Sequence, residues 1–87
     1  MAIIKKKILK EYFDAIESGK KNYEFRVADF EAKEGDMLLL QEWNPATETY
    51  SGREMQKKIS YVGKFDLNSF NQKELIEKYG FYILSIE

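Results

Sequence analysis

The sequence predicts one α+β domain, mainly β, in which about five short strands form a mixed sheet curled into a small pseudo-barrel, with one packed helix and a second short helix. Three observations carry this. Short runs rich in Ile, Leu, Tyr and Phe are bounded by Gly, Asn, Asp and Ser clusters, the pattern of strands and their turns. One stretch instead carries an apolar stripe of helical period that ends on a glycine. The chain has 87 residues and no cysteine, enough for one core without a disulfide or thiolate–metal staple. A sheet of five short strands avoids open edges by curling.

Each element follows in order. "IIKKKIL" (3–9) reads as a first strand with Ile4 and Ile8 on one face and Lys5 and Lys7 on the other. "KEYFDAIESG" (10–19) reads as a helix of about two turns, with Leu9, Tyr12, Phe13 and Ile16 on the buried stripe and Gly19 as its left-handed end. Lys10 and Asp14 stand at i, i+4, an exposed pair. "KKNYEFRV" (20–27) reads as the second strand. Pleating would send Tyr23, Phe25 and Val27 to the core with Lys21 on their side, and gather Lys20, Glu24 and Arg26 on a polar face.

"FEAKEGD" (30–36) is a connection turned at Gly35–Asp36. "MLLLQEW" (37–43), apolar on both faces at first, is expected to be covered on both. "NPATETYSG" (44–52) holds the only proline and a Ser-Gly pair and reads as a long hairpin loop. "REMQKKISYV" (53–62) returns as a strand with Met55, Ile59 and Tyr61 on one face. "GKFDLNSF" (63–70) is irregular, "NQKELIEKYG" (71–80) is a short helix capped by Asn71 and ended by Gly80, and "FYILSIE" (81–87) is a final buried strand. Residues 1–87 make a single domain.

Composition narrows function. Histidine is absent, which removes the commonest general base and metal ligand. Net charge is −1, which argues against a broad electrostatic nucleic-acid binder. The charge is polarised: residues 1–26 carry seven basic and four acidic side chains, residues 27–54 two and seven, and residues 55–87 five and four. The N-terminus lacks the basic-then-apolar order of a secretion signal, and no apolar run reaches the roughly 20 residues of a bilayer span. A cytoplasmic protein with no membrane partner is the expectation.

On chemistry alone, Lys21, Glu24 and Arg26 read equally as a fixed ion-pair row or as a ligand site. Arg53 is either a third cation of that site or a loop-edge arginine in solvent. Trp43, Tyr50 and Tyr61 are either stacking platforms or core and loop anchors. Lys57 and Lys58 straddle one strand, so at least one is solvated. Asp29, Glu31, Glu34 and Asp36 lack calcium-loop spacing, and neither a metal nor a cofactor is expected.

The helix ending in "SGKKNYEFR" resembles the G-x-K-x-x-E-x-R signature of ASCH domains, in the PUA-like superfamily, at Gly19, Lys21, Glu24 and Arg26. "EGD" before an apolar strand, "YSGR" ahead of the next, and "GFYILSI" at the end fit in the same order, so the resemblance covers nearly the whole chain. It is nearest a small bacterial and phage-associated branch of unknown function. That branch often has a histidine in the first strand and a proline before the first helix, where this chain has Ile4 and Lys10. The resemblance implies a PUA-like pseudo-barrel whose motif borders a cleft between helix and barrel. RNA or a nucleotide-like ligand would bind there through Lys21, Glu24 and Arg26, with Lys20 and Arg53 as further candidates from the residues themselves. Arg26 would offer a planar donor fork to phosphate or a base edge, and Lys21 a compact charge.

The alternative implied by the same family is an amidohydrolase of acylated nucleosides, using Lys21 and Glu24. Some ASCH-like proteins act on N4-acetylated cytidine with a lysine and a threonine on this strand. Lys21 matches the lysine, but Glu24 stands where the hydroxyl would be, and a carboxylate does not replace a hydroxyl nucleophile in amide hydrolysis. The prediction is no measurable deacetylation of N4-acetylcytidine. Turnover above background that vanishes in Lys21→Ala would reverse it.

Overall fold

The structure is a computed structural model and describes residues 1–69, 71–84 and 86. Among these the sheet has three strands, β1 (Ile3–Ile8), β2 (Met37–Asn44) and β3 (Thr49–Lys58), with helices α1 (Lys10–Glu17) and α2 (Lys73–Tyr79). β2 is the middle strand, parallel to β1 and antiparallel to β3. The fold is thus a mixed, open, mainly β sheet with two helices; among the described residues three strands form the ladder where five closing into a barrel are expected.

Alternation along β2 sets the faces. Leu38, Leu40 and Glu42 are buried, while Met37, Leu39, Gln41 and Trp43 are only half-buried. The expectation of cover on both faces is therefore met on one. The β1 register places Ile4 beside Leu38 and Ile8 beside Glu42 on the covered face. α1 lies across this face. Its two turns bring Phe13, 1 % exposed, and Ile16 onto Ile8, Leu38 and Leu40, with Ile4, Met55 and Ile59 around the rim. Tyr12 was expected in the core but is 45 % exposed. An eight-residue helix touches a sheet along one narrow line; Phe13 and Ile16 occupy it, and Tyr12 sits one step around the axis, at the edge.

Leu9 enters the helix in an extended conformation, and its carbonyl accepts from the N–H of Tyr12 (3.1 Å) and Phe13 (2.9 Å). At the other end Gly19 (φ +83°) is left-handed as the sequence requires, and the N–H of Lys21 returns to the Ala15 carbonyl at 3.0 Å. Beyond it the expected second strand is not one. Residues 20–27 carry no ladder, and Phe25 and Val27 are 67 % and 80 % exposed. Unpaired, the segment is not bound to a two-residue period, and Lys21 and Glu24 turn inward together.

The turn at Gly35–Asp36 ties three parts of the chain. The buried Asp36 carboxylate accepts from the N–H of Ala2 (2.9 Å) and Lys33 (3.1 Å). Its carbonyl takes the Ile59 N–H at 2.8 Å. The hydrogen bond from Ala2, chief among the causes, holds this carboxyl below its ordinary range.

β3 begins at Thr49, four residues before the expected start at Arg53, so the hairpin turn shrinks to Pro45–Glu48. The reason is Gly52. It adopts φ +96° beside a register shift between Gln41 and Trp43, so a glycine that reads as a turn residue serves instead as a bulge inside a strand. The ladder ends at Lys58, short of the expected Val62. α2 ends at Gly80 (φ +73°) as expected, but Gln72 rather than Asn71 is its N-cap, without a side-chain cap bond. Of the expected last strand, 81–84 and 86 make no ladder. Its Ser85 and Glu87, and Phe70 of the irregular segment, lie outside the described residues.

Phe13→Ala should cost about 3–5 kcal/mol of stability, read as a drop in the denaturant midpoint. An unchanged midpoint would mean that α1 does not pack through this residue.

Candidate ligand cleft at the helix–sheet seam

Lys21, held at the end of α1, places its Nζ 3.1 Å from Glu24 Oε1. Arg26 Nε donates to Glu24 Oε2 at 2.8 Å, and its Nη2 donates to the Lys7 carbonyl at the end of β1. One carboxylate, its side chain 15 % exposed, is thus clasped between two cations, and the clasp is fastened to the helix at one end and to the sheet at the other. Lys21 Nζ also lies 4.7 Å from the Tyr12 ring centroid and 5.1 Å from that of Tyr23, within cation–π range. The three motif residues meet as the sequence suggested, although the pleat had put Lys21 and Glu24 on opposite faces.

The clasp borders two recesses. The larger, about 670 Å³, lies between the 20–33 segment, Ile16, the Leu38–Leu40 row and residues 57–64. Its lining includes Lys21, Arg26, Lys33, Lys57, Lys58 and Lys64 against Glu24 and Glu31, with Tyr23, Phe30 and Tyr61 among its rings. The smaller, about 490 Å³, lies between the same clasp, Lys7 to Leu9 of the β1–α1 corner, Tyr12, and Phe81 with Ile83. Both fall in the size range of small-molecule sites, roughly 300–1,000 Å³. A chain of net charge −1 has therefore given its larger recess a basic lining.

The remaining expected site residues are elsewhere. Lys20 is exposed and lines neither recess. Arg53 also lines neither, and it is not a solvated loop-edge residue. Its Nη2 binds Asp14 Oδ1 at 2.8 Å and the buried Glu42 carboxylate, while the guanidinium carbon stands 4.3 Å from the Phe13 ring centroid. The hydrogen bond from Arg53 is the chief cause holding the Glu42 carboxyl below its usual range. Asp14 is lowered first by Lys10 and then by Arg53. The sequence carries a signal for this cluster that residue typing missed: Glu42 stands two positions after Leu40, in the buried row, and a carboxylate there needs a cation.

Trp43 and Tyr50 pack edge-on, 4.8 Å between centroids, on the sheet face away from α1, with Lys7 Nζ 3.8 Å over the indole. Tyr61 lines the larger recess and is largely exposed. Among the described residues no group of three or more Asp, Glu, His or Cys could hold a metal ion, and no helix is long and apolar enough to cross a membrane.

A family profile described as a domain of unknown function (DUF3850) matches residues 3–86. An uncharacterized 12.9 kDa protein in the GpA 3′ region of Escherichia phage P2 is 38 % identical over 56 residues, covering 64 % of this chain and 50 % of that protein. The chain thus spans about half the length of that curated relative. No solved structure matches.

The Arg53 cluster generates a pH-dependent prediction. Glu42 and Asp14 both have lowered pKa values in the folded state, so their share of stability is present above the unfolded values, about 4. It is lost as pH falls through the lowered folded values. Arg53→Met keeps the apolar stem over Phe13 and removes the charge. Its thermal midpoint should lie below wild type at pH 7, with the gap narrowing toward pH 2–3. A gap independent of pH would show that Arg53 acts by packing alone.

Proposed function

The chain belongs to the DUF3850 family of domains of unknown function, and from that premise we propose that it is a small non-enzymatic module that recognises RNA, or a nucleotide-like ligand, in the recess between α1 and the sheet. The observation that carries this is the lining of the larger recess. Its lining includes six basic residues, of which Lys57 and Lys58 stand on opposite faces of β3, with two carboxylates and three aromatic rings around about 670 Å³ in a chain of net charge −1. Cations select phosphate, and rings offer faces to bases. Arg26, turned toward Glu24 and the Lys7 carbonyl, keeps its Nη1 without a hydrogen bond among the described residues. A guanidinium with donors to spare suits an acceptor edge or a phosphate oxygen.

The match of Gly19, Lys21, Glu24 and Arg26 to the ASCH signature supports the same reading. The PUA-like pseudo-barrel that goes with that signature belongs to this reading as well. Catalysis by Lys21 and Glu24 has less in its favour. Glu24 is engaged by cations through both oxygens, which suits a carboxylate that orients its neighbours.

Arg26→Ala should weaken binding of a short single-stranded RNA by roughly ten- to a hundredfold, the loss of one charge-assisted contact, with circular dichroism unchanged. Arg26→Lys should restore only part, since it keeps the charge and loses the fork. The salt dependence should be shallow, reflecting about two or three neutralised phosphates. Titrations of all three proteins at two salt concentrations measure this. Equal binding by the three would return the clasp to a structural ion-pair row, and undetectable binding by folded wild type would end the proposal.

A further inference from the structure

The two recesses share a wall. Lys21, Tyr23, Glu24 and Arg26 line both, so a ligand in one lies against the same clasp as a ligand in the other. Cations continue on either side: Lys57 and Lys64 on the larger recess, Lys7 on the smaller. Lys7 in turn reaches over Trp43 at 3.8 Å and stands 5.8 Å from the Tyr50 ring centroid. Basic residues therefore stand on both sides of the clasp, while Trp43 and Tyr50 line neither recess and lie beyond Lys7 on the other face of the sheet.

The charge at the crossing point is specific. Two cations share one carboxylate, which leaves a single net positive charge. A phosphodiester carries one negative charge, whereas a terminal phosphate carries about −1.5 to −2 at pH 7. With Lys7 on one side and Lys57 and Lys64 on the other, basic residues continue past the clasp in both directions, which suits a run of phosphodiesters better than one terminal phosphate. We propose that the ligand is a single-stranded polynucleotide that crosses the clasp, one nucleotide in each recess and the intervening phosphodiester against Lys21 and Arg26. This rests on the reading of the larger recess as a nucleotide site and decides between its two ligands in favour of RNA over a free nucleotide.

The test is competition against a labelled RNA hexamer of random sequence by unlabelled dinucleoside monophosphates and by an equal mixture of AMP, CMP, GMP and UMP. The dinucleoside monophosphates should compete about tenfold better or more, the gain from a second stacked base. Lys7→Gln, which keeps the stem over Trp43, should weaken the hexamer several-fold with the circular dichroism of wild type. The length series is read on the unaltered protein, so it stands whatever the variant does. Mononucleotides competing as well as dinucleoside monophosphates, or a folded Lys7→Gln protein with undiminished hexamer affinity, would overturn the two-recess path and leave the single-recess reading in place. Absence of binding by hexamer and mononucleotides alike would remove both.

Discussion

A carboxylate in the buried row of the central strand is the constraint on which the rest of the structure depends. Glu42 follows Leu38 and Leu40 on the face of β2 that α1 covers, and a charge in that position must be neutralised where it stands. Arg53 does this from β3. Its guanidinium crosses over the Phe13 ring and continues to Asp14 of α1, so one side chain joins two strands and the helix. The bulge belongs to the same arrangement: Gly52, left-handed beside the register shift, immediately precedes Arg53 in the strand. Once α1 is fixed over Leu40, its C-terminal end is fixed too, and with it Lys21. The cleft is positioned by a cluster that takes no part in it.

Much of this was legible in the sequence, and the failures share a cause. Periodicity located β1, β2 and α1, and glycine marked the end of each helix, because those signals depend on local backbone preference. Gly52 reads as a loop residue because a glycine after a serine looks the same in a turn and in a bulge; only the partner strand distinguishes them. Residues 20–27 depart from the expected pleat because a two-residue period applies only to a paired strand, and this segment has no ladder. The grouping of Lys21, Glu24 and Arg26 was legible as a motif, but its geometry was not. Arg53 reads as either a third cation of the site or a solvated loop-edge residue because sequence distance hides the carboxylates of Asp14 and Glu42, which approach it from a helix and another strand.

The cleft shows how a nearly neutral chain builds a basic site. Its acidic residues are spent elsewhere. Asp36 is occupied by the N–H groups of Ala2 and Lys33, and Asp14 and Glu42 by Arg53. What remains toward the larger recess is a surplus of lysines with Glu24 and Glu31 as the only carboxylates in its described lining. Overall charge therefore says little about the potential a ligand would meet.

The open sheet has a consequence for self-association. With β1 and β3 outermost, each presents a row of backbone donors and acceptors able to recruit a strand from another molecule. Lys5 and Lys7 stand exposed along one of these rows, and Lys57 and Lys58 along the other. Two copies meeting edge to edge would bring like charges together before any ladder could form. Arg26 adds a physical block, since its Nη2 already occupies the carbonyl of Lys7. Lys7, Lys57 and Lys58, which line the recesses, thus also set like charges along the two outer strands of the described sheet.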